Sequence, residues 1–141
     1  MSFYLDASAI VPVLTAQSMT AAAERFMRRA AGPLWVSELG ESEVAAAASR
    51  LVRMRELTGL QSSAMLDDFD DWFAAEASPV PLESSDFRTA ITLVRRFELM
   101  LRTPDALHLA ISMRLSAELV TFDRRLALTA QTIGLAVRSP A

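Results

Sequence analysis

Three short stretches place a carboxylate where a strand ends or a helix begins. Phe3-Tyr4-Leu5-Asp6-Ala7-Ser8 is an apolar run that stops on an acid and passes into small helix-starting residues. Such a run reads as a buried strand, and ligands of open α/β sheets bind beyond the carboxyl ends of strands. Val120-Thr121-Phe122-Asp123 repeats the pattern. In Thr103-Pro104-Asp105 the Thr fits an N-cap and the Pro fits N1, which puts Asp105 in the first turn of a helix. Each acid also has a plain structural reading. Asp6 or Ser8 can cap the next helix, Asp105 can complement a helix dipole, and Asp123 can cap the helix that opens at Arg124. Arg124 and Arg125 fit poorly at a bare helix N-terminus, because they add positive charge to the positive end. Neighbouring anions explain them better.

A fourth acid comes from the helix that Ser37 can cap, which holds Glu38, Glu41 and Glu43. At about 100° per residue, positions two apart lie on different faces, so Glu41 and Glu43 cannot both reach one site. The apolar arc of Leu39, Val44, Leu51, Val52 and Met54 points between them and leaves the choice open. Helices that follow parallel strands start at the carboxyl edge of the sheet. Asp6, Asp105, Asp123 and one of the two glutamates can therefore share one edge. Clustered carboxylates repel one another and persist where a cation neutralises them. All-oxygen donors favour Mg²⁺ or Mn²⁺, and such sites handle phosphate esters.

The elements that must position these acids alternate along the chain. Strands are expected at residues 3–6, 34–36, 118–122 and 135–137, with a short extended piece at 80–82. Helices are expected at 9–14, 19–31, 37–56, from Ser62 or Ser63 to about 78, 86–97, 103–116 and 124–132, with residues 139–141 as tail. Thr58-Gly59 reads as a break. Alternation of this kind predicts an α/β fold with three α/β/α layers: a small parallel sheet with helices on both faces. The 141 residues fit a single domain, 1–141, with no repeat or linker.

Composition removes several chemistries. There is no cysteine, hence no disulfide, thiolate metal site or cysteine nucleophile. All 14 basic residues are arginine, which excludes Schiff-base chemistry, a P-loop lysine and the lysine of a phospho-receiver site. The net charge of −3 argues against a uniformly basic nucleic-acid binder, so any nucleic acid is held by a local arginine patch or through metal ions. No apolar run reaches the length of a membrane span and Met1 leads straight into the first strand, which points to a cytoplasmic protein without a signal peptide.

Four motifs carry a family resemblance. Leu5-Asp6-Ala7-Ser8-Ala9, Ser37-x-Leu39-x-x-x-Glu43-Val44, Asp105-Ala106-Leu107-His108-Leu109-Ala110 and Thr121-Phe122-Asp123-x-x-Leu126 resemble, in order and spacing, those of PIN-domain ribonucleases. The match is nearest to the VapC-type toxins of bacterial toxin–antitoxin pairs. The resemblance implies a PIN fold and a Mg²⁺- or Mn²⁺-dependent endoribonuclease. It implies that Asp6, Glu43, Asp105 and Asp123 form the metal-binding, catalytic acidic site. It selects Glu43 over Glu41, because Glu43 stands four residues after Leu39. It gives Ser8 and Thr121 supporting roles. It implies an RNA substrate, a small antitoxin partner and a homodimer.

Other residues attract less chemistry. His108, the only histidine, lies one turn after Asp105 in an apolar helix and reads as a packed or hydrogen-bonded structural residue rather than a base or ligand. Asp67, Asp68, Asp70 and Asp71 alternate with Leu66, Phe69, Trp72 and Phe73 and read as a solvated helix face. Arg28-Arg29, Arg50, Arg53, Arg55, Arg95-Arg96 and Arg102 read as solvated surface by default, whereas Arg124 and Arg125 are the best candidates for substrate contact. Two rivals stand beside the ribonuclease. One is a PIN-like binding module whose acids only cap helices. The other is a structure-specific DNA nuclease, against which the short chain argues.

Overall fold

The computed structural model describes residues 1–140; residue 141, the last of the expected tail, lies outside them. Five parallel strands form one sheet: β1 (Phe3–Leu5), β2 (Leu34–Ser37), β3 (Ala77–Val80), β4 (Glu118–Val120) and β5 (Val137–Arg138). Their order across the sheet is β3-β2-β1-β4-β5. The register sets Tyr4 beside Trp35 on one side and Leu119 on the other. β1 is central and its three residues are at most 2% exposed.

Alternation along β1 divides the core. Phe3 and Leu5 pack with Ile10, Phe26, Val44 and Phe69, while Tyr4 packs with Leu93, Leu107, Leu109 and Leu126. The first set comes from α1 (Ala7–Leu14), α2 (Thr20–Arg29), α3 (Glu38–Arg53) and α4 (Gly59–Glu76). The second comes from α5 (Ser84–Val94), α6 (Thr103–Leu115) and α7 (Arg124–Thr132). Helices thus cover both faces, as parallel sheets require, and the expected three-layer α/β/α architecture is the observed one.

Several boundaries differ from the expected ones. Thr58-Gly59 opens α4 rather than breaking the chain. The Thr58 hydroxyl accepts from Gln61 N at 3.1 Å and the Gln61 side chain accepts from Thr58 N at 2.8 Å, a reciprocal capping box. α4 ends at Glu76, and the third strand occupies 77–80 rather than 80–82. Pro79 and Pro81 account for the shift, since residues before proline favour extended backbone. Pro79 is tolerated because β3 lies at the sheet edge. α5 starts at Ser84, capped by Glu83 and Asp86, and stops at Val94, with a separate 3₁₀ turn at Phe97–Leu99. α3 ends at Arg53, before Arg55 takes a left-handed φ of 57°. α6 is capped one residue earlier than expected, at Arg102, so Pro104 is the second helical residue. β4 stops at Val120, short of Phe122, and β5 lies at 137–138 rather than 135–137. Asp67, Asp68, Asp70 and Asp71 are exposed and Phe69 is buried, as the solvated-face reading expects.

One ion pair, a buried carboxylate with a half-buried arginine, fixes α6 to α5. Asp86 is 1% exposed and takes Arg114 Nε at 2.8 Å and Nη2 at 2.9 Å, one on each oxygen. Burial alone would raise the Asp86 carboxyl, but the Arg114 contacts and the Glu83 N–H hold it below the ordinary range. Arg114→Met should therefore destabilise the protein by roughly 3–5 kcal/mol, because it strands a buried carboxylate. Denaturant unfolding of the two proteins measures this; a change under about 1 kcal/mol, the median of an exposed pair, would show that Asp86 finds other solvation.

Candidate active site

Chain connections run outward in opposite directions from β1 and β4, so the crevice at their carboxyl ends is the topological switch point of the sheet. Asp6 follows β1 there and is 6% exposed. Ser8 Oγ donates to its Oδ1 at 2.7 Å and Thr121 Oγ1 donates to its Oδ2 at 2.8 Å. Both hydroxyls also accept backbone N–H groups, Ser8 from Phe122 at 2.9 Å and Thr121 from Asp123 at 3.0 Å. Each hydroxyl has one proton and directs it to Asp6; their 3.1 Å approach to each other follows from that shared acceptor. Burial pushes the Asp6 carboxyl up from its ordinary value. His108 and the two hydroxyls oppose the rise, and Glu43 adds to it.

The other three acids line one groove of about 570 Å³, with Arg96, Arg102 and Arg125 on its walls. Asp105 is pushed up first by burial and then by the Asp123 charge, with Glu43 adding to the rise. Glu43 meets His108 Nε2 through its Oε1. Glu41 is also raised, by burial and then by Glu38 and Asp70, which marks a different neighbourhood from that of Glu43. The two glutamates diverge as helical geometry demands. Asp123 uses Oδ1 to accept Arg125 N at 2.9 Å and Leu126 N at 3.1 Å, so it caps α7 while lining the groove. Its capping and its groove position coexist.

The donor chemistry suits a hard divalent cation: four carboxylates, with neither ring nitrogen of His108 turned away from its protein partners. Among the described residues, however, no three His, Asp or Glu side chains close around a common point. Protein donors hold Asp6, Glu43 and Asp123, each through named oxygens. The acids share an edge and repel one another, Glu43 acting on Asp6 and both Asp123 and Glu43 on Asp105.

Two features of the site escape the sequence reading. His108 is a buried, hydrogen-bonded residue as expected, at 2% exposure, but its partner is Glu43 itself. Tyr4 and Ser37 complete that contact from below, and neither residue type nor spacing announces them. Arg96 and Arg102, which read as solvated surface in the sequence, line the groove, and Arg125 does so as well. Arg124 is exposed and lies outside the lining.

The PIN-domain family model matches residues 3–131, and the chain belongs to that family. No curated protein sequence matches it. Among solved structures it is similar to VapC20 of Mycobacterium tuberculosis, described as a Sarcin-Ricin loop cleaving toxin. The two share 15% identity over 98% of this chain and 99% of that one, with a TM-score of 0.74. FitAcB of Neisseria gonorrhoeae superposes with a TM-score of 0.75 at 15% identity, over 98% and 97% of the two chains. A toxin–antitoxin complex of Klebsiella pneumoniae gives 0.69 at 16% identity, over 98% and 97%.

The raised carboxyls make a testable statement about stability. A carboxyl whose folded-state pKa lies above its unfolded value stabilises the fold at low pH, and that contribution is lost as pH rises through the folded pKa. Asp6 and Asp105 both have this sign, whereas Asp86 has the opposite one. Asp105→Asn should therefore raise the melting temperature in EDTA at neutral pH by about 2–4 °C and narrow the gap to wild type as pH falls towards about 4. Thermal melts of both proteins across that range check it. A variant that melts lower at neutral pH would make Asp105 a helix-start residue alone.

Proposed function

We propose that this protein is a metal-dependent endoribonuclease that hydrolyses RNA phosphodiester bonds as the toxin of a toxin–antitoxin pair. The observation that carries the reading is the convergence of Glu43, Asp105 and Asp123 on one groove, next to Asp6, at the switch point of a PIN fold. Asp6, Glu43, Asp105 and Asp123 would hold Mg²⁺ or Mn²⁺, which when bound supplies an activated water and offsets charge on the leaving 3′ oxygen. Ser8 and Thr121 keep the Asp6 carboxylate oriented. Arg125, Arg102 and Arg96 line the groove and can take phosphate oxygens, and exposed Arg124 can extend that grip. The description of VapC20 as a Sarcin-Ricin loop cleaving toxin supports a cleaving toxin, and the neighbouring toxin–antitoxin complex supports an antitoxin partner. We further assign a homodimer and a cytoplasmic location, in keeping with that substrate and partner. No helix among the described residues is long and apolar enough to cross a membrane.

The Asp123 cap favours a second reading, a PIN-like module that acts only by binding a partner. Mn²⁺ titration separates the two, since such a module has no reason to bind the ion at these acids.

Cleavage of RNA should require added Mg²⁺ or Mn²⁺ and stop in EDTA. Glu43→Gln should lower the rate on the order of 100-fold or more, while Glu41→Gln stays within a few-fold of wild type. Gel assays on total RNA with both variants measure this. Equal cleavage in EDTA sinks the metal mechanism, and a dead Glu41→Gln moves the site to the other helix face.

A further inference from the structure

A continuous hydrogen-bonded chain runs beneath the acids. Ser37 Oγ accepts Gly40 N at 3.1 Å and meets Tyr4 Oη at 2.8 Å. Tyr4 Oη meets His108 Nδ1 at 2.6 Å, and His108 Nε2 meets Glu43 Oε1. Tyr4 and Ser37 are fully buried and His108 is 2% exposed, so water does not compete for these contacts. The Glu43 side chain, by contrast, is 34% exposed. Its outer end reaches the groove and its Oε1 rests on the buried histidine.

Proton counting gives the chain a direction. A carboxylate only accepts, so the one proton of the neutral His108 ring sits on Nε2, facing Glu43, and Nδ1 is left as an acceptor. The Tyr4 phenol therefore gives its proton to Nδ1, and Ser37 gives its own to Tyr4 Oη while accepting Gly40 N. Nε2 completes the chain by donating to Glu43 Oε1. Every atom along the chain is used in this arrangement. The placement matters as much as the bonds. Tyr4 lies two residues before Asp6, Ser37 caps the helix that carries Glu43, and His108 lies one turn after Asp105.

We propose that Tyr4, Ser37 and His108 form a positioning network that fixes the Glu43 carboxylate and keeps the three elements bearing Asp6, Glu43 and Asp105 in mutual register. A glutamate on a half-exposed helix face otherwise samples several rotamers. Hydrogen-bonded partners behind a metal-binding carboxylate orient it, and losing one typically weakens metal affinity by about 10–100-fold. The inference rests on the reading that Glu43 belongs to a metal-binding acidic site.

The test is Mn²⁺ binding, read from the electron paramagnetic resonance of free ion, in wild type, Tyr4→Phe, Glu43→Gln and the double variant. Tyr4→Phe removes one oxygen from a buried ring and leaves the packing in place. It should weaken Mn²⁺ binding by about tenfold, and that loss should vanish in the Glu43→Gln background. His108→Gln, whose amide can still donate to Glu43, should stay within about threefold of wild type, while His108→Leu should fall by about tenfold or more. The sole histidine also gives a direct readout. Long-range ¹H–¹⁵N spectra of metal-free wild type should show the Nε2–H tautomer. An Nδ1–H tautomer, or equal losses from Tyr4→Phe with and without the Glu43 carboxylate, would overturn the network. A wild type that binds Mn²⁺ as tightly as Tyr4→Phe overturns it while leaving the acidic site intact. A wild type that binds no Mn²⁺ overturns the acidic-site reading, and this inference with it.

Discussion

The structure turns on a carboxyl buried at the end of its central strand. An ionised Asp6 at 6% exposure would be untenable without donors, since a buried charge costs far more than a buried amide. Ser8 and Thr121 supply them, one from each side of the switch point. Thr121 also fixes Asp123 through its N–H, and Ser8 fixes Phe122. The chain leaving β4 is therefore bound to the chain leaving β1 by hydroxyl contacts where backbone pairing has ended. Moving either segment would unseat the carboxyl, so the demand for solvation becomes a demand for geometry. The remaining acids inherit their places from it, because α7 starts where that segment stops.

Much of this was legible in the sequence because the signals are local. An apolar run ending on an acid needs only the strand period and a helix start to be placed, and Asp6 and Asp123 both stand in such a run. The divergence of Glu41 and Glu43 followed from helical pitch, but geometry alone could not choose between them. Only the Leu39 to Glu43 spacing of the PIN motif did. Contacts between distant positions left no such mark. Tyr4 reads as one more apolar residue of a buried strand, and nothing in its neighbours shows a hydroxyl aimed 104 positions down the chain at His108. Arg96 and Arg102 look like surface until the 3₁₀ turn and α6 fold them over the groove. Boundaries failed where two residues competed to start a helix, as with Thr58 against Ser62, and a capping box decided the matter.

The two faces of the molecule do different work. On the α5–α7 side, the Asp86–Arg114 pair clamps α6 to its neighbour, and α6 in turn carries both Asp105 and His108. A helix with so little freedom to slide is a suitable mount for groups that must stay within a few tenths of an ångström of one another. On the α1–α4 side the aromatic cluster of Phe69, Trp72 and Phe73 serves packing. The acids themselves occupy an intermediate position: electrostatically frustrated, and tolerated because the Ser37–Tyr4–His108 chain beneath them is hydrogen-bonded throughout.

The sheet edges carry a last consequence. One border is β3, where Pro79 lacks a backbone donor, and the other is β5, only two residues long. Neither presents the long, regular row of free N–H and C=O groups on which a foreign strand could template itself. Borders this blunt are the kind that discourage edge-to-edge pairing between copies of a protein. Such borders also leave little backbone for a strand laid alongside, so the helices and grooves are the surfaces that offer contact area.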